Sequence, residues 1–570
     1  MTPLTPREPK QIKTLAQTFL ARFFDNDITG GSTDLRHSFL WLLGAIALPG
    51  VWMANVRMGA WGRIAQIRGP EAVRLESAPE KVFIIGTSMV IVAGLAAIVW
   101  QSLLIDRRDV IVLGSFPVRH RTVLAGKFGA LIGFFGIITA AMQTASSFFW
   151  GLTLGMHGGP LFGLWTIVAH FVAAAAAGLF MYLSVIATQG LLLGIAGPRQ
   201  SARLAPILQL VLITGALLLF ALLPLTAGAT PGPVYGVRAR EMQGVLWMPP
   251  VWFFGLYETI LGTSNATIHM LAGRAMLALG AAGGLALLSY PLAYKRVVQD
   301  ALVGAPVAAR LGPVRRLAAL LPRLLARHHV TRATLQFAMA TIGRMTLHRL
   351  VIAIALGIGA AFVVPVISVN LNTDLPLPTP GMLSVSTLLM FCLLVALRVT
   401  VALPAELAGA WIFAMGDTTS LRHRVAARRL LWVTGVVPPT LLAFLIFWII
   451  WGLGVAWRHA LLSTAIGGLL VELLLAGLKG VPCAEPYAPG GARLQSRWPW
   501  YLLLLVSLNI YIPQGEAMLL SSPYGVPIMA GVLVVDTLIV RLWADRRHRL
   551  GIDRFQVDEV TLIDLKGTSI

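Results

Sequence analysis

The stretch VFIIGTSMVIVAGLAAIVWQSLLI, residues 82–105, carries no charged side chain over its whole length. A helix needs roughly 20 mostly apolar residues to cross the hydrocarbon core of a bilayer, so this segment is long enough to span a membrane. Its apolar residues form a continuous run and do not alternate with polar ones, which argues against a strand of a membrane barrel. The segment therefore predicts a transmembrane helix.

Comparable apolar runs lie on both sides of this segment, across most of the 570 residues. The chain is 57% hydrophobic and only 12% charged, and its mean hydropathy is +0.78. This composition excludes a soluble globular domain and predicts an all-α polytopic membrane protein with about 12 transmembrane helices. The predicted spans are 37–57, 82–105, 128–153, 162–194, 204–227, 271–294, 349–370, 381–403, 429–452, 460–478, 499–514 and 526–543.

The distribution of positive charge indicates the orientation. The formal net charge is +21, and most of the 45 Lys and Arg residues fall in segments that are inside if the N-terminus is inside. We therefore expect a multi-pass protein of the bacterial cytoplasmic (inner) membrane, with both termini cytoplasmic and no nucleic-acid partner. Residues 57–81 are the exception, because this predicted outer loop holds five basic residues, which three glutamates partly offset.

The predicted spans fall into two sets of six. The third, fourth and fifth spans of the two sets begin about 300 residues apart, which predicts two parallel six-helix pseudo-repeats. We assign residues 36–296 to the first half, 297–347 to a basic amphipathic cytoplasmic linker and 348–545 to the second half. Residues 1–35 are predicted to contain a cytoplasmic amphipathic helix that lies along the membrane surface with its apolar side in the headgroup region. The alternative is that this helix packs on the protein. Residues 546–570 are predicted to form a cytoplasmic tail.

The segment LLIDRRDVIVLGSFPVRHRTVLAGKF, residues 103–128, joins the second span to the third, and residues 403–429 hold the corresponding place in the second half. Both segments are longer than a turn requires and mix charges with apolar residues. Apolar residues ringed by charge at a membrane face suit docking to a soluble partner. The candidate docking residues are Asp106, Arg107, Arg108, Asp109, Phe116, Pro117, Arg119, Arg121, Glu406, Trp411, Phe413 and Arg422.

The first of these segments resembles permeases of the type-2 export class of ATP-binding cassette (ABC) transporters. The resemblance lies in its acidic-basic start, its LGSFPV run and the basic turn that leads into AGKFGAL. In that family the equivalent segment carries a coupling helix that contacts the nucleotide-binding subunit. The resemblance covers residues 1–227 best and is looser in the second half, where PAELAGAWIFAM holds the coupling position. It implies two permease halves fused in one chain, which bind a separate ABC ATPase subunit in two copies.

The chain contains no GxxxxGK[ST] phosphate-binding loop. The resemblance therefore implies that the partner subunit binds ATP. We expect this chain to be an export permease and not an enzyme, with membrane lipids as further partners and with no cofactor, metal or catalytic residue of its own.

Two alternative functions stay open. A secondary carrier of the major-facilitator type also has twelve spans and a basic middle loop. Its second-to-third loop is typically about half as long as residues 106–128, which counts against it. A membrane-embedded enzyme acting on a lipid-linked substrate is the other alternative, and the lack of clustered acids or histidines near one face counts against it.

Charged and aromatic residues elsewhere give further candidates. Glu472 and Asp536 lie within predicted spans, where they are candidates to line a transport pathway, carry a proton or pair with a basic residue. Aromatic residues in the outer segment 228–270 are either an interfacial anchor or a lid for an amphiphilic substrate. These residues are Trp247, Trp252, Phe253, Phe254 and Tyr257. The scarcity of charge within the spans favours a lipid-like or amphiphilic substrate over a small ion.

Overall fold

A computed structural model describes residues 8–24, 35–105, 107–230, 234, 243–263, 265–303, 322–371, 378–403, 421–476, 478, 481–484, 503–505 and 507–549. Every regular element in these ranges is a helix, which confirms the predicted all-α polytopic membrane fold. The chain divides into two compact units, Met1–Val307 and Ala308–Ile570. The division between them lies within the segment that the sequence predicts as a linker.

The first unit contains ten α-helices among its described residues. In chain order they are α1 (Glu8–Phe24), α2 (Leu35–Arg68), α3 (Pro70–Glu76), α4 (Ala78–Ile98), α5 (Trp100–Leu103), α6 (Arg107–Gly114), α7 (His120–Gly158), α8 (Pro160–Ala229), α9 (Pro249–Ile260) and α10 (Ala266–Val303). A single 3-10 turn, Gln243–Trp247, precedes α9.

The second unit has the same general order, with an amphipathic helix first and a short helix directly before the last long one. Its helices are α11 (His329–Arg344), α12 (Thr346–Leu371), α13 (Pro380–Ala402), α14 (Leu421–Leu431), α15 (Val437–Trp451), α16 (Leu453–Leu475), α17 (Ile512–Leu520) and α18 (Gly525–Arg549). A π-helical turn, Trp432–Val436, joins α14 to α15, and a second, Ser507–Tyr511, precedes α17.

Among the residues searched, ten helices are long and apolar enough to cross a membrane, and the bent pair His329–Arg344 and His348–Val364 makes an eleventh if it is one span. These helices correspond to the second to twelfth predicted spans. The first predicted span, 37–57, lies inside α2. The fourth and fifth are both parts of α8, which breaks at Gly197, where φ is 72° and glycine is favoured.

The eleventh span differs most from its prediction. The sequence predicts residues 499–514, whereas the candidate span in the structure is Leu503–Leu520. Pro513 stands in the first turn of α17, where a proline needs no hydrogen-bond acceptor for its missing N–H, so the helix continues through it. Glu516 consequently lies inside the span and not in a loop.

Glycines close the hairpin between α7 and α8. A Cβ atom added to Gly163 would lie 2.7 Å from the carbonyl oxygen of Gly151 and 2.8 Å from Cα of Gly155. The obstructing atoms belong to the backbone, so no side chain can turn aside to make room. Small residues at such contacts let membrane helices approach closely and gain van der Waals packing.

We expect the Gly163→Ala variant to lose about 1–3 kcal/mol of unfolding free energy, because the two helices must separate to admit the methyl group. Gly215→Ala, on the same helix, is the control, since a Cβ there meets nothing within 4 Å. The control should be unchanged or slightly more stable. Thermal unfolding of both variants in detergent measures the difference, and equal stabilities would contradict the close approach.

Candidate functional site

The first predicted docking segment forms a short helix between two membrane-crossing helices. α4 and α5 lead through Ile105 to α6, and an irregular turn then leads to α7. Backbone hydrogen bonds from Ser115 N–H to the Val112 carbonyl and from Phe116 N–H to the Leu113 carbonyl end α6. Arg119 has extended backbone angles and stands as the N-cap of α7. The segment therefore contains a short helix whose C-terminal end is closed by backbone hydrogen bonds.

The outward side of α6 and the following turn is apolar. Ile111, Val112 and Phe116 are 57%, 56% and 56% exposed, while Asp109, an acid on the same helix, is 6% exposed. An ordinary surface helix shows the opposite arrangement, with its apolar side buried and its charges outward. A contiguous group of exposed apolar side chains marks a surface that another molecule covers.

A cavity of about 290 Å³ lies beside α6. It opens between α6, the start of α7 and the end of α10, and most of its lining is aliphatic. Three polar side chains also reach it, and two of them are joined, because His120 Nδ1 lies 2.9 Å from the Tyr294 hydroxyl oxygen. The third is Asp109. The α6 surface therefore has both exposed apolar side chains and a cavity beside them.

α1 holds the start of α7. An Arg119 guanidinium nitrogen donates to a Glu8 carboxylate oxygen at 3.1 Å. Lys127 Nζ donates to the Ser102 carbonyl oxygen at 2.5 Å and lies 4.8 Å and 5.1 Å from the ring centres of Phe19 and Phe23. The apolar side of α1 thus packs on the protein, the second of the two arrangements that its amphipathic pattern allows.

The structure brings the predicted docking residues of the first half together along α6 and the turn after it. Phe116, Pro117, Arg119 and Arg121 are exposed there, and Asp109 is buried. For Arg107 and Arg108 the structure describes the helical backbone. Asp106 lies outside the described residues.

In the second half Arg422 is exposed at the start of α14. Glu406, Trp411 and Phe413 lie outside the described residues. The tripeptide Arg-His-Arg starts the third membrane-crossing helix in both units, as residues 119–121 and 422–424. Both histidines use Nδ1 to contact a hydroxyl on another helix, since His423 Nδ1 lies 2.8 Å from Thr334 Oγ1 on α11. The repeat is predicted from the spacing of the spans alone. This shared tripeptide is a second sequence signal for it, which that prediction missed.

Glu472 takes part in a buried ion pair. Arg428 on α14 donates to both Glu472 carboxylate oxygens on α16, with Nη2 to Oε2 at 2.9 Å. The same Nη2 lies 3.4 Å from Asp545 Oδ1 on α18, and Arg424 Nε lies 3.5 Å from that oxygen. Of the roles that the sequence allows for Glu472, the structure shows the pairing with a basic residue. Asp536, the other pathway candidate, is exposed on α18.

Most of the predicted outer aromatic cluster is packed inside the first unit. Phe253, Phe254 and Tyr257 are 0% exposed, since they fall on the side of α9 that faces α4 and α10. Trp252 is partly buried and donates its indole N–H to the Leu246 carbonyl oxygen at 3.0 Å. Trp247 alone of the five predicted lid residues is largely exposed, at 69%, beneath the Arg274 guanidinium.

A buried charge cluster that the sequence analysis does not single out fixes α9. Glu258 is 0% exposed, and its carboxylate accepts from Lys81 Nζ at 2.7 Å, Arg74 Nε at 3.0 Å and Thr263 Oγ1 at 2.8 Å. Burial by itself would raise the pKa of Glu258, but the charges of Lys81 and Arg74 hold that pKa below its usual range. The available sequence signal is an acid directly after an aromatic run, FFGLYE.

Metal ligands and thiols are the remaining candidates for reactive groups among the described residues. No group of three or more His, Cys, Asp or Glu residues that could hold a metal ion occurs in the described part of the chain. The two cysteines of the sequence, Cys392 and Cys483, are both buried. Burial raises the pKa of the Cys483 thiol to about 12, so this thiol is unreactive near neutral pH while the protein is folded.

Comparison with known proteins leaves the site to be judged on its own geometry. No family model matches the chain, and no curated protein and no solved structure matches it.

Proposed function

We propose that this chain is the transmembrane permease subunit of an ATP-driven exporter of the ABC type, driven by a separate ATPase subunit. The observation that carries the proposal is α6, a helix at the junction of two membrane-crossing helices, with three large apolar side chains exposed on its outward side and in the turn after it. A solvated turn would not expose such residues, whereas a docking helix requires them.

The connections of α6 suit a part that transmits motion. It is joined at one end to α4 through α5, and at the other end to α7, whose base is held by α1. A displacement of α6 by a bound partner therefore passes to two long helices at once, and packed helices respond by shifting between discrete arrangements. Permeases of this kind use such shifts to switch between inward- and outward-facing states.

The charges within the spans support an amphiphilic or lipid-like substrate. Two buried ionic groups of the membrane-crossing helices are paired, Glu472 with Arg428 and Lys81 with Glu258, while buried Lys127 and Arg398 bond to backbone carbonyl oxygens. Paired charges of this kind hold helices together and do not form a polar pathway for a small ion. By the positive-inside rule we place α6 on the cytoplasmic side, with the exposed Arg119 and Arg121 beside it.

Purification of the tagged chain from its native membrane in mild detergent, followed by mass spectrometry, should yield a P-loop ATPase in stoichiometric amount. The Phe116→Asp variant should lose it, because placing a carboxylate in an apolar contact costs at least about 2 kcal/mol, or about 30-fold in affinity. Charge reversal with Arg107→Glu and Arg108→Glu should likewise abolish binding of the ATPase while the protein still inserts into the membrane.

Ile67→Asp is the matched control, since Ile67 is 81% exposed at the end of α2, far along the chain from α6. This variant should keep the partner. All variants must show wild-type membrane insertion and thermal stability for the comparison to count. A wild-type chain that purifies alone in several detergents, or a Phe116→Asp variant that retains the ATPase, would contradict the proposal.

A further inference from the structure

A histidine–glutamate pair is enclosed between α13, α16 and α17 of the second unit. The side chains of His459 and Glu516 are 0% and 1% exposed, and His459 Nδ1 lies 2.6 Å from Glu516 Oε1. The other ring nitrogen, Nε2, lies 2.8 Å from Ser386 Oγ and 3.1 Å from Ser463 Oγ. Both ring nitrogens of His459 therefore have hydrogen-bond partners in a site closed to solvent.

Glu516 lacks a permanent positive partner in the described part of the chain, where its ion-pair contact is with His459. The charged residue nearest in sequence, Arg458, donates instead to the carbonyl oxygens of Gly454 and Leu520. The ring of Phe447 on α15 covers the imidazole, with ring centres 4.7 Å apart.

The other charged groups on the neighbouring helices point elsewhere. Arg398 of α13 donates to the Leu474 carbonyl oxygen at the opposite end of α16. Arg428 of α14 pairs with Glu472, also at that opposite end. Asp536 of α18 and Tyr511 of the π-turn before α17 are exposed.

A buried carboxylate is expensive unless a positive charge accompanies it. Lysine or arginine supplies that charge permanently, whereas histidine supplies it only when the imidazole carries a second proton. We propose that the His459–Glu516 pair is a proton-binding site whose bound proton holds α17 against α16. The proposal concerns the second unit alone and does not depend on the identity of any ATPase partner.

In the first unit the corresponding glutamate and the buried histidine do not pair with each other. Its short helix before the last long one, α9, is fixed by Glu258, but Glu258 pairs with Lys81 and Arg74. Its buried histidine, His170 on α8, has Nε2 3.1 Å from Ser146 Oγ, and its Nδ1 has no hydrogen-bond partner among the described residues. The first unit therefore attaches its short helix with permanent charges, and only the second uses a histidine.

The direction of the effect follows from proton linkage. The closed site holds a proton that the opened site releases, so α17 is held most firmly at acid pH and is released as pH rises. Each pH unit can change the ratio of closed to open site by up to about tenfold for one proton.

Hydrogen exchange of the full-length protein in detergent micelles, followed by mass spectrometry between pH 6 and 8, tests this directly. After correction for the intrinsic pH dependence of exchange, protection of residues 512–520 should fall by up to about tenfold per pH unit. Residues 249–260 of α9 serve as an internal control and should keep constant protection. Equal pH dependence of the two segments, or none in either, would overturn the proposal.

Two variants give an independent check. Glu516→Gln removes the carboxylate but keeps the shape, and should abolish the pH dependence of residues 512–520. His170→Gln removes the histidine of the first unit and should leave that dependence intact. A Glu516→Gln protein with the wild-type pH profile would overturn the proposal. If Glu516→Gln does not fold, the comparison of residues 512–520 with residues 249–260 in the wild-type protein still tests the proposal.

Discussion

The Arg428→Met variant should lose about 3–5 kcal/mol of unfolding free energy, because it leaves the Glu472 carboxylate in the interior without its partner. The side chains of Arg428 and Glu472 are only 8% and 2% exposed, so water cannot replace the lost contact. Removing one member of a buried pair is costly because of the charge left behind, not because the pair itself is strongly stabilising.

The Arg428→Met/Glu472→Leu double variant separates the cost of an unpaired buried charge from the stabilisation that the ion pair itself provides. It removes both charges and should recover most of the loss, since similar-sized apolar residues often replace a buried pair at little cost. Asp545 keeps Arg424 as a neighbour, 3.5 Å away. Thermal unfolding can be followed with a thiol-reactive dye, because both cysteines are buried in the folded protein. A double variant no more stable than Arg428→Met would contradict this account.

The Glu258→Gln variant should lose a comparable amount, about 3–5 kcal/mol, since Lys81 is 0% exposed and would remain as a buried cation without a carboxylate. Arg68→Gln is the matched control, because it breaks an exposed pair with Glu76 in which both side chains are about half exposed or more. Such surface pairs contribute about 0–1 kcal/mol. The same thermal assay compares the two variants, and similar losses in both would contradict the importance of burial.

The effect of Glu258→Gln should depend on pH in a defined direction. The pKa of Glu258 is held below its usual range in the folded protein, so the pair's contribution is fully present above the ordinary glutamate pKa and is lost as pH falls through the folded value. The stability difference between wild type and variant should therefore stay constant from about pH 6 to 8 and narrow below about pH 4. If the stability difference between wild type and Glu258→Gln grows as pH falls, the pKa of Glu258 is not lowered in the folded protein.

The fold class could be predicted from the sequence because hydrophobic length is a strong local signal. What hydropathy cannot show is whether a break in an apolar run ends a helix. Residues 198–203 interrupt the run with polar and basic side chains, yet α8 resumes directly after the bend at Gly197. Pro513 misleads in the same way, since it suggests the end of a helix, whereas it lies in the first turn of α17 and the span continues to Leu520.

The exposed apolar residues between the second and third spans could also be located from the sequence, but the buried pairs could not. Arg428 with Glu472 and Lys81 with Glu258 join residues far apart in the chain, and such partners are set by how the helices pack. Local pairs are easier to anticipate. Two of the three glutamates that partly offset the basic charges of residues 57–81 pair with them, Glu80 with Arg57 at 2.5 Å and Glu76 with Arg68 at 3.0 Å.

The packing of α1 on α7 has a consequence for biosynthesis. α1 leaves the ribosome first, but its partner surface extends to Phe134, which stacks on Phe23 with ring centres 4.6 Å apart. At a synthesis rate of about 5–20 residues per second, α1 waits about 5–20 seconds before α7 exists. During that interval its apolar side has only the membrane surface or a chaperone to bind. The contact of α1 with α7 therefore forms late, and we expect truncation of α1 to disturb assembly of the first unit.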